Sequence, residues 1–331
     1  MKSVKTASMP LKVFGEFSFM KKFFGIIFSV LLLFSVPTAA ANAETKNVAA
    51  FGDSLTYGYG VDGESYAKIY ADEKGYSFAN YAEVGMDSQG LKELLNNDAP
   101  DYSEADEIIL WIGANDLLHA LYEYADEKGI DYDNIKNESV DNIKNQLNSE
   151  EFNEKMRETV KTFEENLVEI LEILRENGGN CRIYLFTQYN PYDGIIISGI
   201  NIGNIADKWV RRLNNVIAER EGVVIVDAYF VVRNSQEKCV NADVDLNFGR
   251  MDLDPHLTAE GHREISVYFK EISARADAAE AAAAKTDPPA DTGDSGSGCR
   301  STLIGGGYIA AITAAGCGVF IFLRKKKDSA S

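Results

Sequence analysis

Between residues 45 and 275, short apolar runs take turns with longer stretches of helical spacing, a pattern that few architectures can satisfy. The strand candidates are Asn47 to Phe51, Ser77 to Tyr81, Glu107 to Ile112, Arg182 to Thr187 and Val223 to Asp227, each rich in β-branched or aromatic residues. Between them, Glu64 to Lys74, Ser88 to Leu95, Glu151 to Asn177 and Asn204 to Glu221 have the spacing of helices, with Ser88 and Asn204 as candidate caps. Strands that alternate with helices pair in parallel and take helices on both faces, so the expected class is α/β with a central parallel sheet. Such sheets bind ligands at the carboxyl ends of their strands, and the residues that follow each strand therefore carry the functional reading. One stretch breaks the alternation. Residues 119–149 are rich in acid, Asn and Lys and show little periodicity, which reads as an acidic surface insertion, either a solvated helical cap or a lid facing substrate.

The ends of the chain read as addresses. Lys21-Lys22, an apolar run from Phe23 to Val36 and the small-residue site Ala41-Asn42-Ala43 make a secretory signal peptide over residues 1–43, with Met20 a candidate initiator and an uncleaved anchor the alternative. Residues 276–302 read as a disordered linker of Ala, Asp, Pro, Gly and Ser. Leu303 to Leu323 carries no charge and is long enough to span a bilayer, and the basic tail 324–331 holds its end in the cytoplasm. Residues 44–275 are thereby expected outside the cell, anchored to its surface. Pro289-Ala290-Asp291-Thr292-Gly293 resembles the sortase signal of Gram-positive surface proteins, with Pro289 and Ala290 departing from the usual Leu and Pro. Membrane anchoring and sortase attachment to the cell wall both stay open.

Charge narrows the partners. The chain carries a net −18; with the +4 of residues 1–43 and the +3 of residues 324–331 set aside, −25 is left on the residues between. A body this acidic repels phosphate backbones, so no nucleic-acid partner is expected. Of the four cysteines only Cys181 and Cys239 fall in the body, where they either pair or remain thiols, and no CxxC or spaced His pair supports a metal site.

The strand ends hold the chemistry. Gly52-Asp53-Ser54 follows the first strand, where a serine at a strand-to-helix turn can expose its hydroxyl and its N–H to one cleft. Gly85 follows the second strand and can bring an N–H close to a reacting oxygen, and Asn115, after the third, can add a side-chain amide. Asp254-Pro255-His256 follows the fifth strand and precedes the last helix, where an imidazole can return to Ser54 as general base. Each signal alone has an ordinary structural explanation, as a helix cap, a turn or an Asx-turn.

Together and in this order, over about residues 47–273, Ser54, Gly85, Asn115 and His256 resemble the four blocks of the GDSL or SGNH family of serine esterases and lipases. The resemblance implies a flavodoxin-like three-layer α/β/α sandwich, an acyl-serine intermediate and no cofactor. It implies Ser54 as nucleophile, His256 as base and an oxyanion hole of Ser54, Gly85 and Asn115. The family commonly places its acid three residues before the His, where this chain has Leu253; Asp254 is the preferred substitute, Asp252 the second candidate, and a backbone carbonyl the remaining option. Asp53, Tyr189, Asn190 and Tyr192 are expected to line the substrate cleft, and His119 and His262 to be structural. Gly58-Tyr59-Gly60-Val61-Asp62-Gly63 also fits a dinucleotide fingerprint, but it begins four positions after Ser54, too far along for the tight strand-to-helix turn. The expected function is hydrolysis of short acyl esters such as acetylated glycans. The rivals are a lysophospholipase or lipase of the same family, and an inactive glycan-binding module on the same scaffold.

Overall fold

The computed structural model describes residues 45–130, 139–245 and 250–286. The signal peptide, the 303–323 segment and the sortase-like motif lie outside the described residues, and among the described residues no helix is long and apolar enough to cross a membrane. In chain order the strands are β1 (Asn47–Gly52), β2 (Ser77–Asn80), β3 (Glu107–Trp111), β4 (Arg182–Phe186), β5 (Ile196–Ile197), β6 (Ile200–Asn201), β7 (Val224–Val226), β8 (Asp243–Asp245) and β9 (Arg250–Asp252). Five of them form one sheet in the order β2-β1-β3-β4-β7, every neighbour parallel, and β5-β6 and β8-β9 are small antiparallel hairpins.

Alternate residues of each strand feed two cores. Val48, Ala50, Ile109, Trp111, Tyr184 and Phe186 point to one face and pack on the helices Tyr66–Lys74 and Ala259–Thr286. Ala49, Phe51, Ile108, Leu110, Ile183 and Leu185 point to the other, against Ser88–Asn97, Glu150–Gly178 and Ile202–Ala218. This is a three-layer α/β/α sandwich of flavodoxin-like strand order. Glu107 is buried at the amino end of β3, answered by Lys46 Nζ at 2.7 Å and the Tyr70 hydroxyl at 2.6 Å. It stands at the opposite end of the sheet from the strand ends where ligands bind.

Several expectations are corrected. The caps of two helices are Asp87 and Asn201 rather than Ser88 and Asn204, because the Ser88 hydroxyl is engaged by Asp116 and Asn166 while the Asn201 side chain accepts the Asn204 N–H at 2.8 Å. The 119–149 stretch, in line with its helical-cap alternative, holds Ala114–Glu127 and Val140–Leu147, which bury Ala120, Tyr124 and Ile143, while 131–138 lie outside the described residues. Its apolar spacing was hidden by the acids on the solvent side. The last helix runs to Thr286, past the expected start of the linker at 276, since the Ala-rich run 278–284 is a strong helix former that needs no packed face. Cys181 and Cys239 are both free thiols.

Candidate active site

β1 ends in a turn that only Gly52 allows: a Cβ there would sit 2.4 Å from the Trp111 carbonyl oxygen. The chain then enters a one-turn helix, Ser54–Tyr57, whose N-cap is Asp53, accepting the Leu55 N–H at 2.9 Å. Ser54 is thus the first helical residue, and among the described residues its own N–H has no protein acceptor. The crevice lies between β1 and β3, where the strand order reverses.

Across this crevice the loop before the last helix brings an imidazole to the serine. His256 Nε2 lies 2.9 Å from Ser54 Oγ, and His256 Nδ1 lies 2.5 Å from Asp254 Oδ1. Asp254 Oδ1 also accepts the His256 backbone N–H at 3.1 Å, and Oδ2 accepts Asn241 Nδ2 at 3.1 Å. Partial burial pushes the Asp254 carboxyl up, but these donors outweigh it and hold the group below its usual range, so it is ionised at neutral pH. Asp252 instead accepts the Asp254 N–H at 3.0 Å. The imidazole can take the Ser54 proton as the hydroxyl oxygen attacks, while the carboxylate holds the ring and stabilises its charged form.

The loop after β2 supplies the facing wall. Its Tyr81 and Glu83 N–H groups donate to the Ala50 and Gly52 carbonyls at 2.8 and 3.1 Å, continuing the sheet past the strand and carrying Gly85 alongside the end of β1. Gly85 is exposed, and among the described residues its N–H has no protein acceptor. The helix starting at Ala114 latches this loop with three side chains. Asn115 Nδ2 donates to the Met86 carbonyl at 2.8 Å, the Asp116 carboxylate accepts the Ser88 N–H at 2.9 Å and also its hydroxyl, and His119 Nδ1 meets Asp87 Oδ2 at 3.0 Å. One Asn115 amide hydrogen is so engaged, and the geometry leaves the other for a ligand. Burial raises Asp116 to about 6 and the enclosed Asp53 to about 7, the nearby Asp116 charge adding to the latter.

The expected lining residues turn inward. Asp53 is 1% exposed and acts as a cap. Tyr189 is 7% exposed, and its hydroxyl donates to the Pro255 carbonyl at 2.6 Å; the Tyr192 hydroxyl donates to the Leu253 carbonyl at 3.2 Å. Asn190 is buried, bridging the Gly203 carbonyl at 2.9 Å and the Tyr192 N–H at 3.0 Å. Tyr189 and Tyr192 thereby fasten the His256 loop, and Asn190 in turn holds the Tyr192 backbone. His262 is buried too, its Nδ1 accepting the Tyr66 N–H at 3.2 Å, and burial followed by the charge of His256 lowers it to about 4.

Sequence reasoning missed Asn241, Asp116 and Tyr59. Asp116 had a signal in its place beside Asn115, and Tyr59 in its place between two glycines. Asn241, 13 residues before Asp254, had none.

The family model of the GDSL-like lipase/acylhydrolases matches residues 50–264. Among solved structures, phospholipase A1 from Streptomyces albidoflavus NA297 is 18% identical over 69% of this chain and 99% of its own, with a TM-score of 0.52. The extracellular lipase from Streptomyces rimosus is 15% identical over 69% of this chain and 100% of its own, with a TM-score of 0.51. The lipase Lip_vut3 from a goat rumen metagenome is 21% identical over 69% and 97%, with a TM-score of 0.50. At these identities the likeness is one of fold. No curated protein matches the chain. The family match runs from β1 into the last helix and covers more than half of the sequence, and the chain belongs to the GDSL-like lipase/acylhydrolase family, hydrolases of ester bonds.

Proposed function

We propose that this chain is a surface-anchored serine esterase that acts on short acyl esters, such as acetylated glycans, through an acyl-serine intermediate. The observation that carries the mechanism is the unbroken contact from Ser54 Oγ to His256 at 2.9 Å and from His256 to Asp254 at 2.5 Å. Ser54 Oγ attacks the ester carbonyl while His256 Nε2 takes its proton, and Asp254 orients the ring and stabilises its charged form. The developing oxyanion is held by the N–H groups of Ser54 and Gly85 and by the Asn115 amide. His256 passes the proton to the leaving alcohol, and then takes one from the water that attacks the acyl-enzyme and returns it to Ser54.

The preference for short acyl groups rests on the sequence; the groove beside Gly85, lined by Glu83, Val84, Met86, Asp87, Gly90 and Leu94, holds about 320 Å³ and opens to solvent, so it sets no limit on acyl length. A lipase of the same family is the rival, and activity that climbs with acyl length would support it. An acid displaced from its usual place before the His is the one feature that favours an inactive module, and Asp254 on His256 Nδ1 answers it. Attachment at the cell surface rests on residues 1–43 and 303–323 of the sequence.

The test is labelling of the full chain with a fluorophosphonate, the adduct located by peptide mass spectrometry, together with turnover of 4-nitrophenyl acetate. An adduct on Ser54 is expected, absent in Ser54→Ala and His256→Ala. Asp254→Asn is expected to lower kcat by about 10³ to 10⁴, Asp252→Asn far less. A folded, unmutated protein that takes no adduct and turns over no ester defeats the proposal.

A further inference from the structure

The glycine-rich segment after the first turn of helix does not hold a nucleotide; it closes on itself and on Ser54. The N–H groups of Gly58 and Tyr59 donate to the Ser54 carbonyl at 3.1 and 3.0 Å, and those of Val61 and Gly63 donate to the Gly58 carbonyl at 3.3 and 3.2 Å. Gly58 has φ 87° and a Cβ there would lie 2.8 Å from the Gly63 backbone, so this closure needs glycine. The result is a short loop hung from the backbone of the serine itself, with Tyr59 at its base.

Tyr59 packs on His256, its ring centroid 4.6 Å from that of the imidazole at an interplanar angle of 40°. The side chain is nevertheless 48% exposed. A large aromatic ring left half open beside a site is a surface that a ligand can cover.

The direction of the reaction says which half of the ligand. In the proposed mechanism the carbonyl oxygen turns toward the Ser54 and Gly85 N–H groups, whereas the alcohol oxygen must lie within reach of His256 Nε2 to receive its proton. The atoms beyond that oxygen run past whatever borders the imidazole, and Tyr59 borders it. We infer that Tyr59 determines specificity for the alcohol half of the ester, its free face packing against an uncharged ring such as the pyranose of an acylated sugar. The charge of the occupant follows from Asp62 and Glu64 on the same loop and from the net −18 of the chain, which disfavour a carboxylate- or phosphate-bearing alcohol.

This inference rests on the esterase reading, and the experiment separates the two. The full chain, Tyr59→Ala and Tyr59→Phe are compared on two acetates of primary alcohols, cyclohexylmethyl acetate and ethyl acetate, and in their rate of fluorophosphonate labelling. Tyr59→Ala is expected to lower the ratio of kcat/KM for the ring ester over the ethyl ester by about three- to tenfold, and Tyr59→Phe, which keeps the ring, to restore it. Equal losses on both esters, paralleled by slower labelling, would mean that Tyr59 only steadies His256 and would overturn the inference. An unchanged ratio in Tyr59→Ala overturns it as well, while turnover by the unmutated protein leaves the esterase reading standing. Failure of the unmutated protein to label or to hydrolyse either acetate overturns both.

Discussion

Asn115 ties the Met86 carbonyl at 2.8 Å with one amide hydrogen, and in the proposed mechanism it keeps the second for the reacting oxygen. In Asn115→Ala the latch is loosened and the donor removed, and kcat for 4-nitrophenyl acetate is expected to fall by about 10² to 10³ with the thermal midpoint little changed. A loss below tenfold would remove Asn115 from the oxyanion hole. Its neighbour Asp116 has the complementary task, since its carboxylate takes both the N–H and the hydroxyl of Ser88 and so fixes the loop that carries Gly85. The family blocks were legible because Ser54, Gly85 and Asn115 stand two, five and four positions past the ends of β1, β2 and β3, and His256 stands just before the last helix. The orienting acid was ambiguous because Asp252 and Asp254 are equally acidic neighbours in sequence, and only the turn of the loop decides which oxygen meets His256.

At the scale of elements, the site is three loops held by side chains from elsewhere. The 252–257 loop is fastened by Tyr189 to Pro255 at 2.6 Å, by Tyr192 to Leu253 at 3.2 Å, and by the Asn241 N–H to the His256 carbonyl at 2.9 Å. Removing the Tyr189 hydroxyl leaves the half-buried Pro255 carbonyl without its donor. Tyr189→Phe is expected to cost about 1 kcal/mol in urea unfolding, and to lower kcat several-fold with KM nearly unchanged, because His256 is displaced while the substrate surface is not. An unaltered kcat would show that the loop keeps its shape without this bond. The strands of the main sheet came through within a residue or two of their expected bounds, since buried parallel strands are apolar throughout. The hairpins β5-β6 and β8-β9 and the helix Ala228–Asn234 were not legible, being too short to show a period.

The whole molecule is acidic, and two of its buried carboxyls make stability depend on pH. Asp53 at about 7 and Asp116 at about 6 stand above the unfolded 3.8, so the stability they contribute is full below about pH 4 and is lost as pH rises through those values. His262, lowered to about 4, has the opposite sign: its contribution is present above about pH 6.5 and lost as pH falls through 4. Two carboxyls outweigh one imidazole, and self-repulsion of the net −18 grows in the same direction, so the thermal midpoint is expected to fall between about pH 4.5 and 7.5. Calorimetry at both values checks it: in Asp53→Asn, which keeps the cap on Leu55, the fall is smaller, and an equal fall would remove Asp53 as its source.

The α/β class, the parallel order of the elements and the residues that end each strand could be read from the chain alone, because periodicity and turn chemistry depend on neighbours a few positions apart. Tertiary contact decided the rest. Ser54 and His256 are 202 positions apart, and their meeting, the choice of Asp254, the inward turn of Tyr189 and Asn190 and the placing of Tyr59 over the imidazole all depend on surfaces that exist only once the sheet has formed.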